Sequence, residues 1–321
     1  MSKEKLIEII SRAHGESIFP RPSEISVIST GSPRIDRAIG VGGVPRGRIT
    51  EIFGMEGSGK TTLCYHIMAN AQREGLTCLF VDTEHAFDAD YAQRIGVQED
   101  ELLILQPDYA EQALETVSLA ARSGEAGVII LDSVAALATK AELEGSLEDT
   151  NVAVLARLMS QHLRILAGEA AKSKVAIIYT NQMRDKIGGM GYGPQYTQPG
   201  GRALKFYSSL RLEVARVQNL KRGDETIGQT IKVIVRKNKL APPAKTATTD
   251  IIFGEGISVE SEIIEDAIKA GVIKKAGPYL KLGDQSLARG KEELRSLLRT
   301  DPAFKEQLLQ LLRDHELQEV A

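Results

Sequence analysis

Between about residues 26 and 183, short apolar runs alternate with stretches whose apolar positions recur at helical spacing. The runs predict strands over 48–54, 76–85, 102–107, 126–137 and 175–183. The stretches predict helices over 61–75, 91–96, 113–124 and 152–173. Apolar runs of four to five residues between helices imply a mostly parallel sheet covered on both faces, an α/β architecture. Beyond residue 202 the segments 210–218, 230–239 and 249–254 follow one another without intervening helices. They read as antiparallel strands extending the same sheet.

The two ends differ from this middle. Residues 3–14 place Leu6, Ile9 and Ile10 on one helical face. A helix so short is marginal alone and should pack on something else. Pro20 and Pro22 then break the chain into an arm or linker. From about residue 259 helical patterns return in EIIEDAIKAG, LARGKEELRSLLR and PAFKEQLLQLLRDHE, with a hairpin-like stretch at 272–283. The expected division is 1–25 for helix and arm, 26–258 for the core and 259–321 for a small α/β C-terminal domain. One segment is Gly-rich: GGMGYGPQYTQPGG, residues 188–201, expected to be a mobile loop.

Composition narrows the class. With 42% hydrophobic and 26% charged residues, the chain is neither disordered nor fibrous. Two cysteines, Cys64 and Cys78, exclude a disulfide framework and a four-cysteine zinc site. No apolar run approaches the roughly 18 residues of a membrane span. The N-terminus lacks the apolar stretch of a secretory signal, which points to a cytoplasmic protein.

Residues Gly54-Met55-Glu56-Gly57-Ser58-Gly59-Lys60-Thr61-Thr62 fit the pattern G-x-x-x-x-G-K-[ST] between a predicted strand and a predicted helix. Glycines there let backbone N–H groups converge on phosphate oxygens, and the helix N-terminus adds partial positive charge. Lys60 would reach the β- and γ-phosphates, and the Thr61 hydroxyl would bind Mg²⁺. Asp132 ends the run VIILD on an adjacent buried strand, either beside that ion or as an ordinary cap. Glu84, ending LFVDTE, is suited to polarise a water molecule, or is a solvated loop residue. Gln182 is a neutral amide that contacts a γ-phosphate without repulsion, or caps the loop it enters.

The formal charge of −3 hides an asymmetry. Residues 74–169 hold 18 acidic and 5 basic side chains, a net −13, whereas residues 202–240 hold 10 basic and 3 acidic, a net +7. With Arg184 and Lys186 ahead of it, the basic stretch fits a phosphate backbone; on charge alone a solvated strand face fits equally. Cys64 and Cys78 read as core thiols, and His66, His162 and His315 as structural. His85 reads as packing or capping. The pattern around Phe206 favours the core over a subunit contact.

Several strings carry a more specific resemblance: STGSPRIDRAIGVGGVPRGRITEIFGMEGSGKTT (29–62), AQREGLTCLFVDTEHAFDADYA (71–92), VIILDSVAAL (128–137), KAELEG (140–145), ARLMSQHLR (156–164), TNQMRDKIG (180–188), GGRALKFYSSLRL (200–212), VRKNKLAPP (235–243) and IIFGEGI (251–257). Along nearly its whole length the chain resembles the bacterial RecA recombinase family. The resemblance implies a RecA-type P-loop ATPase core. It also implies an ATP- and Mg²⁺-dependent recombinase that forms a head-to-tail helical filament on single-stranded DNA and pairs it with homologous double-stranded DNA in repair. A further implied partner is an SOS-type repressor.

Carried over by position, Gly54 to Thr62 bind the triphosphate, Glu84 activates water, and Asp132 with Thr61 holds Mg²⁺. Gln182 links the γ-phosphate to the DNA loop, and Asp88, Tyr91 and Phe253 match adenine-side residues. Lys237 and Lys239 match lysines that reach a neighbour's γ-phosphate, which gives the basic stretch a use besides DNA. Phe206 matches an interface residue, and the N-terminal helix and arm match a segment docking on the adjacent subunit. DNA would be held by loops at about 144–154 and 183–202, with Arg157, Ser160, Arg164, Met183, Arg184, Lys186, Ile187, Gly188, Gly200 and Gly201 at matching positions. Cations there would meet phosphates without sequence preference, and Ile187 would wedge between bases.

The chain departs from the family in places. Asn151-Val152 stands where His-Met is common, the second loop is slightly longer with Tyr192 and Tyr196, and Phe253 replaces a common Tyr. The C-terminus reads LQEVA without a long acidic tail. These mark a diverged member, such as a phage or environmental copy. Two rivals stand beside this reading: a ring-forming helicase of related fold, and a DNA-coating protein with a vestigial nucleotide site. The first lacks the TNQM and GGRALKF strings, and the second would not keep Lys60, Thr61, Glu84 and Asp132 together.

Overall fold

The computed structural model describes residues 3–14, 25–145, 152–185 and 196–320. Its centre is a nine-stranded sheet, ordered in space Gly256–Ile257, Thr246–Ile252, Glu225–Asn238, Leu210–Arg222, Ile49–Gly54, Ala176–Gln182, Val128–Asp132, Cys78–Asp82 and Leu102–Leu105. Strands from Leu210–Arg222 to Leu102–Leu105 pair in parallel. The remaining pairings, from Leu210–Arg222 out to Gly256–Ile257, are antiparallel. The mostly parallel sheet with an antiparallel extension is thus what the hydrophobic pattern predicts.

Every residue of Val128–Asp132 and Cys78–Asp82 is buried, which is why these strands are continuously apolar rather than alternating. One face is covered by helices Pro33–Ile39 and Lys60–Arg73, through Ile35, Ile39, Leu63, Ile67 and Met68. The other is covered by Ala110–Ser123 and Val152–Ser173, through Leu114, Val117, Leu163 and Leu166. Each such side chain contributes about 1.5–3 kcal/mol by leaving water. Cys64 and Cys78 are buried free thiols, as expected of core residues.

The hairpin of Leu210–Arg222 and Glu225–Asn238 is longer than predicted. Its outer part, NLKRGDET, is polar and carries no apolar alternation, so only the turn at Gly223 (φ +62°) signals it.

The C-terminal unit has its own core of Ile263, Ile264, Ile273, Leu280, Leu294, Leu298 and Leu308. Here the structure departs from the expected elements. The predicted hairpin is a three-stranded meander, Ile273–Ala276, Tyr279–Leu282 and Gln285–Arg289. Leu287–Arg289, read as helix, belongs to its third strand, where Ala288 turns inward opposite Leu280. Gly290 (φ +86°) separates that strand from the helix Lys291–Thr300. The unit is tied to the core through buried Glu262, which accepts from the Ser32 hydroxyl and the Arg34 backbone N–H, and through the Arg34–Asp266 ion pair at 2.7 Å.

The helix Lys3–His14 leaves Leu6, Ile7 and Ile9 exposed, as suits a segment that packs on something else. Among the described residues no helix is long and apolar enough to cross a membrane.

Candidate nucleotide and DNA site

The phosphate loop joins the central strand Ile49–Gly54 to the helix Lys60–Arg73. Two of its glycines are required, Gly54 by space and Gly59 by its left-handed backbone. A Cβ on Gly54 would lie 2.0 Å from the Val214 carbonyl oxygen, and one on Gly59 (φ +93°) 2.5 Å from Ile251 Cδ1. The loop is thereby pressed against the sheet, and the helix opens directly beneath it.

Lys60 is buried, and its Nζ donates to the Met55 carbonyl at 2.9 Å. Burial pushes its pKa down, while the nearby carboxylates of Asp132 and Glu84 pull it back up. The Thr61 hydroxyl donates to Asp132 Oδ2 at 2.7 Å. Asp132 is also held by the Thr180 hydroxyl, and burial raises its pKa. Ser58 Oγ is buried and has no hydrogen-bond partner among the described residues, an orphaned group in a loop shaped for phosphate oxygens. A hydroxyl and a carboxylate within hydrogen-bond distance suit Mg²⁺, a hard cation that takes few protein oxygens and completes its shell with phosphate and water.

Glu84 stands at the rim on the turn after Cys78–Asp82. Asp82 organises that turn by accepting the backbone N–H groups of Ala86 and Phe87. One oxygen of Glu84 accepts from Gln182 Nε2 at 2.9 Å and from the Ser133 hydroxyl. The predicted water activator and the predicted sensor are therefore in direct contact. These groups share one cavity of 440 Å³, whose lining runs from Gly57, Lys60, Thr61 and Asp132 to Asp88, Tyr91 and Phe253. Asp88 caps the helix Ala89–Ile95, and the Tyr91 hydroxyl lies 3.2 Å from that of Thr62.

Lys237 and Lys239 do not line this cavity. Lys237 Nζ instead donates to the carbonyls of Lys205 and Phe206. Phe206 is 69% exposed, so the core assignment favoured by its pattern is wrong. The five-residue helix Ala203–Tyr207 turns Leu204 inward and Phe206 outward. Part of the basic stretch is neutralised internally: Arg211 pairs with buried Glu51, Arg236 with Glu213, and Arg222 with Glu292.

Of the residues expected to meet DNA, Arg157, Ser160 and Arg164 are exposed along the helix Val152–Ser173. Arg184 donates to the Ala135 carbonyl at 3.3 Å. Gly200 and Gly201 press on Val134 and Ala156, where added Cβ atoms would sit 2.7 Å and 3.0 Å away. The Gly201–Ala156 approach sets the end of the second predicted loop beside the first turns of the helix that follows the first. Lys186, Ile187 and Gly188 lie outside the described residues, as do most of the first loop and the arm at 15–24.

Sequence reasoning missed three supports: Ser133 on Glu84, Thr180 on Asp132, and Gln229, whose Nε2 donates to the Gly57 carbonyl at 3.0 Å. Ser133 and Thr180 adjoin predicted residues at strand ends, a signal available in the sequence. Gln229 comes from the antiparallel extension and nothing local marks it.

Asp132 is not on the strand adjacent to the phosphate loop, as the sequence suggested, but one strand further, with Ala176–Gln182 between them. A phosphate loop on the central strand, this carboxylate two strands away and a glutamate at the rim define a P-loop ATPase with a mostly parallel core. The RecA N-terminal domain family matches residues 7–258 and the RecA C-terminal domain family residues 261–316. Protein RecA of Chlorobaculum tepidum is 48% identical over 314 residues, spanning 96% of this chain and 90% of that protein. Protein RecA of Nautilia profundicola is 46% identical over 322 residues, spanning 98% and 92%. The crystal structure of the RadB recombinase superposes with a TM-score of 0.53 at 21% identity, over 72% of this chain and 98% of that one, a likeness of fold. The chain belongs to the RecA family, and it is an ATP-dependent recombinase of homologous recombination and DNA repair.

Proposed function

We propose that this chain hydrolyses ATP with Mg²⁺ in a DNA-dependent manner, and that hydrolysis times its hold on single-stranded DNA within a helical filament. The observation that carries the reading is the Gln182–Glu84 hydrogen bond at the rim of the phosphate site. Gln182 ends the strand whose continuation is the second DNA loop, so one side chain touches both the reacting end of the nucleotide cleft and the path to DNA.

Lys60 and the backbone N–H groups of 57–62 hold the β- and γ-phosphates. Thr61 and Asp132 would hold Mg²⁺, which when bound would neutralise phosphate charge. Glu84 accepts a proton from the attacking water, held in place by Ser133 and Gln182. A γ-phosphate would draw the Gln182 amide away from Glu84, freeing that carboxylate for water and shifting Met183 and Arg184 together. Linkage then requires that DNA binding and ATP binding strengthen each other.

Lys237 and Lys239, absent from the chain's own cleft, act in this reading on a neighbour's nucleotide. Exposed Phe206 beside them and the apolar face of Lys3–His14 form opposite halves of a head-to-tail contact, which generates an open helix when the rotation does not close. Asp88, Tyr91 and Phe253 take the adenine. Exposed Arg157, Ser160, Arg164 and Arg184 line the DNA path, together with Gly200 and Gly201. Homologous duplex is the second DNA partner and an SOS-type repressor a protein partner of the filament, both on family membership. ATP turnover measured with and without single-stranded DNA tests the reading: a large stimulation is expected, and turnover indifferent to DNA would contradict it.

A further inference from the structure

The nucleotide cavity has two ends. Opposite the phosphate loop its wall is formed by Asp88, Tyr91, Arg94, Phe253 and Gly254. A molecule with its triphosphate on the loop lays its base there, so any role for this wall rests on the nucleotide reading. Phe253 and Gly254 belong to the turn joining Thr246–Ile252 to Gly256–Ile257. That edge of the sheet is held by only two residue pairs, Ile251 with Ile257 and Ile252 with Gly256.

The Phe253 N–H donates to the Ile227 carbonyl, and Glu255 pairs with Arg295 and Arg299 of the C-terminal unit. Two further side chains tie the turn to the elements that build the cavity. His66, on the helix that begins at the phosphate loop, accepts the Ile257 backbone N–H on Nε2 at 2.8 Å. Arg94 Nε donates to the Gly254 carbonyl at 3.1 Å. The imidazole sits in a slot between two glycine backbones. A Cβ on Gly31 (φ +82°) would come within 3.0 Å of Nδ1, and one on Gly256 (φ +87°) within 2.4 Å of Nε2. To accept a backbone N–H, Nε2 must be unprotonated. Burial, with help from Arg73, pushes the ring's pKa down to about 4, so at neutral pH it is a standing acceptor.

We propose that His66 is a positioning residue for the base end of the cleft, fixing the Phe253 wall relative to the phosphate loop, with Arg94 as a second tie. His66 does not line the cavity. Its helix carries the phosphate-binding N-terminus, and its ring holds the turn that faces the base, so one rigid element sets the separation of the two ends. A ligand that has phosphates but no base does not sense this tie.

The test compares full-length wild type, His66→Phe, which keeps a flat ring but loses the acceptor, and His66→Gln, whose carbonyl restores one. Calorimetry measures binding of ATP and of inorganic tripolyphosphate, each with Mg²⁺. His66→Phe should weaken ATP about tenfold, the effect of stranding one buried N–H, and leave tripolyphosphate unchanged. His66→Gln should recover most of the loss. In turnover, KM for ATP should rise in His66→Phe with kcat nearly constant.

The chain has no tryptophan. Phe253→Trp therefore places a single fluorescent reporter on the wall, read without nucleotide. Its anisotropy should fall on adding His66→Phe or Arg94→Ala and hold with His66→Gln. Equal loss of ATP and tripolyphosphate affinity would overturn the proposal, because the phosphate loop itself would then have moved. So would an unchanged reporter in both the His66→Phe and Arg94→Ala backgrounds, the second of which removes an exposed side chain together with its bond to the Gly254 carbonyl. If the wild type binds tripolyphosphate no more weakly than ATP, the nucleotide reading fails and the role of His66 with it.

Discussion

At the phosphate end of the cleft, position is imposed from all sides: Lys60 and Asp132 are buried, Ser133 is buried beneath Glu84, Gly54 lies where no side chain fits, and Gly59 holds a left-handed backbone (φ +93°). On the surface proposed to face DNA, Arg157, Ser160, Arg164 and Arg184 are exposed, while Gly200 and Gly201 approach Val134 and Ala156 closely. The two regions meet at the end of Ala176–Gln182, where Gln182 contacts Glu84 and Arg184 reaches the Ala135 carbonyl. The difference follows from what each meets. Phosphoryl transfer needs oxygens placed to within a fraction of an ångström, so it demands a rigid cradle. A phosphate backbone presents repeated identical charges, and exposed cations on a surface suffice for it.

The largest expected effects break the rigid half. Lys60→Ala should lower ATP turnover on the order of 10²–10³-fold, because the cradle loses its buried cation; turnover assays with a phosphate readout check this. Glu84→Gln should lower turnover roughly 10²–10⁴-fold while calorimetry finds ATP binding retained, since the amide keeps the shape but cannot take a proton.

A smaller effect sharpens the comparison at the residue that bridges its two halves. Gln182→Ala should cut the enhancement of single-stranded DNA affinity by a non-hydrolysable ATP analogue, a coupling expected to be about 5- to 150-fold, to near unity. DNA affinity without nucleotide should stay close to wild type in the same titrations. The smallest effect belongs to the exposed half. Arg184→Ala should weaken single-stranded DNA binding uniformly across sequences, and the slope of log affinity against log salt should fall by about 0.7 for the lost phosphate contact. An unchanged slope would remove Arg184 from the DNA path.

The same contrast explains what the sequence disclosed. The phosphate loop was legible because its strand, glycines, lysine and helix are contiguous, and Asp132 because an apolar run ends there. Gln229 was not, since it reaches Gly57 from a strand remote in the chain and only the sheet order brings them together. Phe206 was misjudged because a five-residue helix is too short for its period to reveal which side faces the core. Leu287–Arg289 was merged into a helix because LARGKEELRSLLR is rich in helix formers, while the deciding residue, Gly290, is a single backbone conformation. The basic stretch showed its charge but not its partners: Glu51, Glu213 and Glu292 neutralise part of it across strands and between units. The overall α/β plan came through because burial on both faces of the sheet forces continuous apolar strands.

The central claim is that nucleotide state at a rigid site governs pairing on an adjacent DNA surface. Strand exchange between a single strand and a labelled duplex tests it most directly, with ATP and Mg²⁺, with ADP, and without nucleotide. The account predicts heteroduplex product with ATP and homologous DNA, and none in the other arms. Exchange that proceeds equally without nucleotide, or its absence while single-stranded DNA still stimulates ATP turnover, would contradict it.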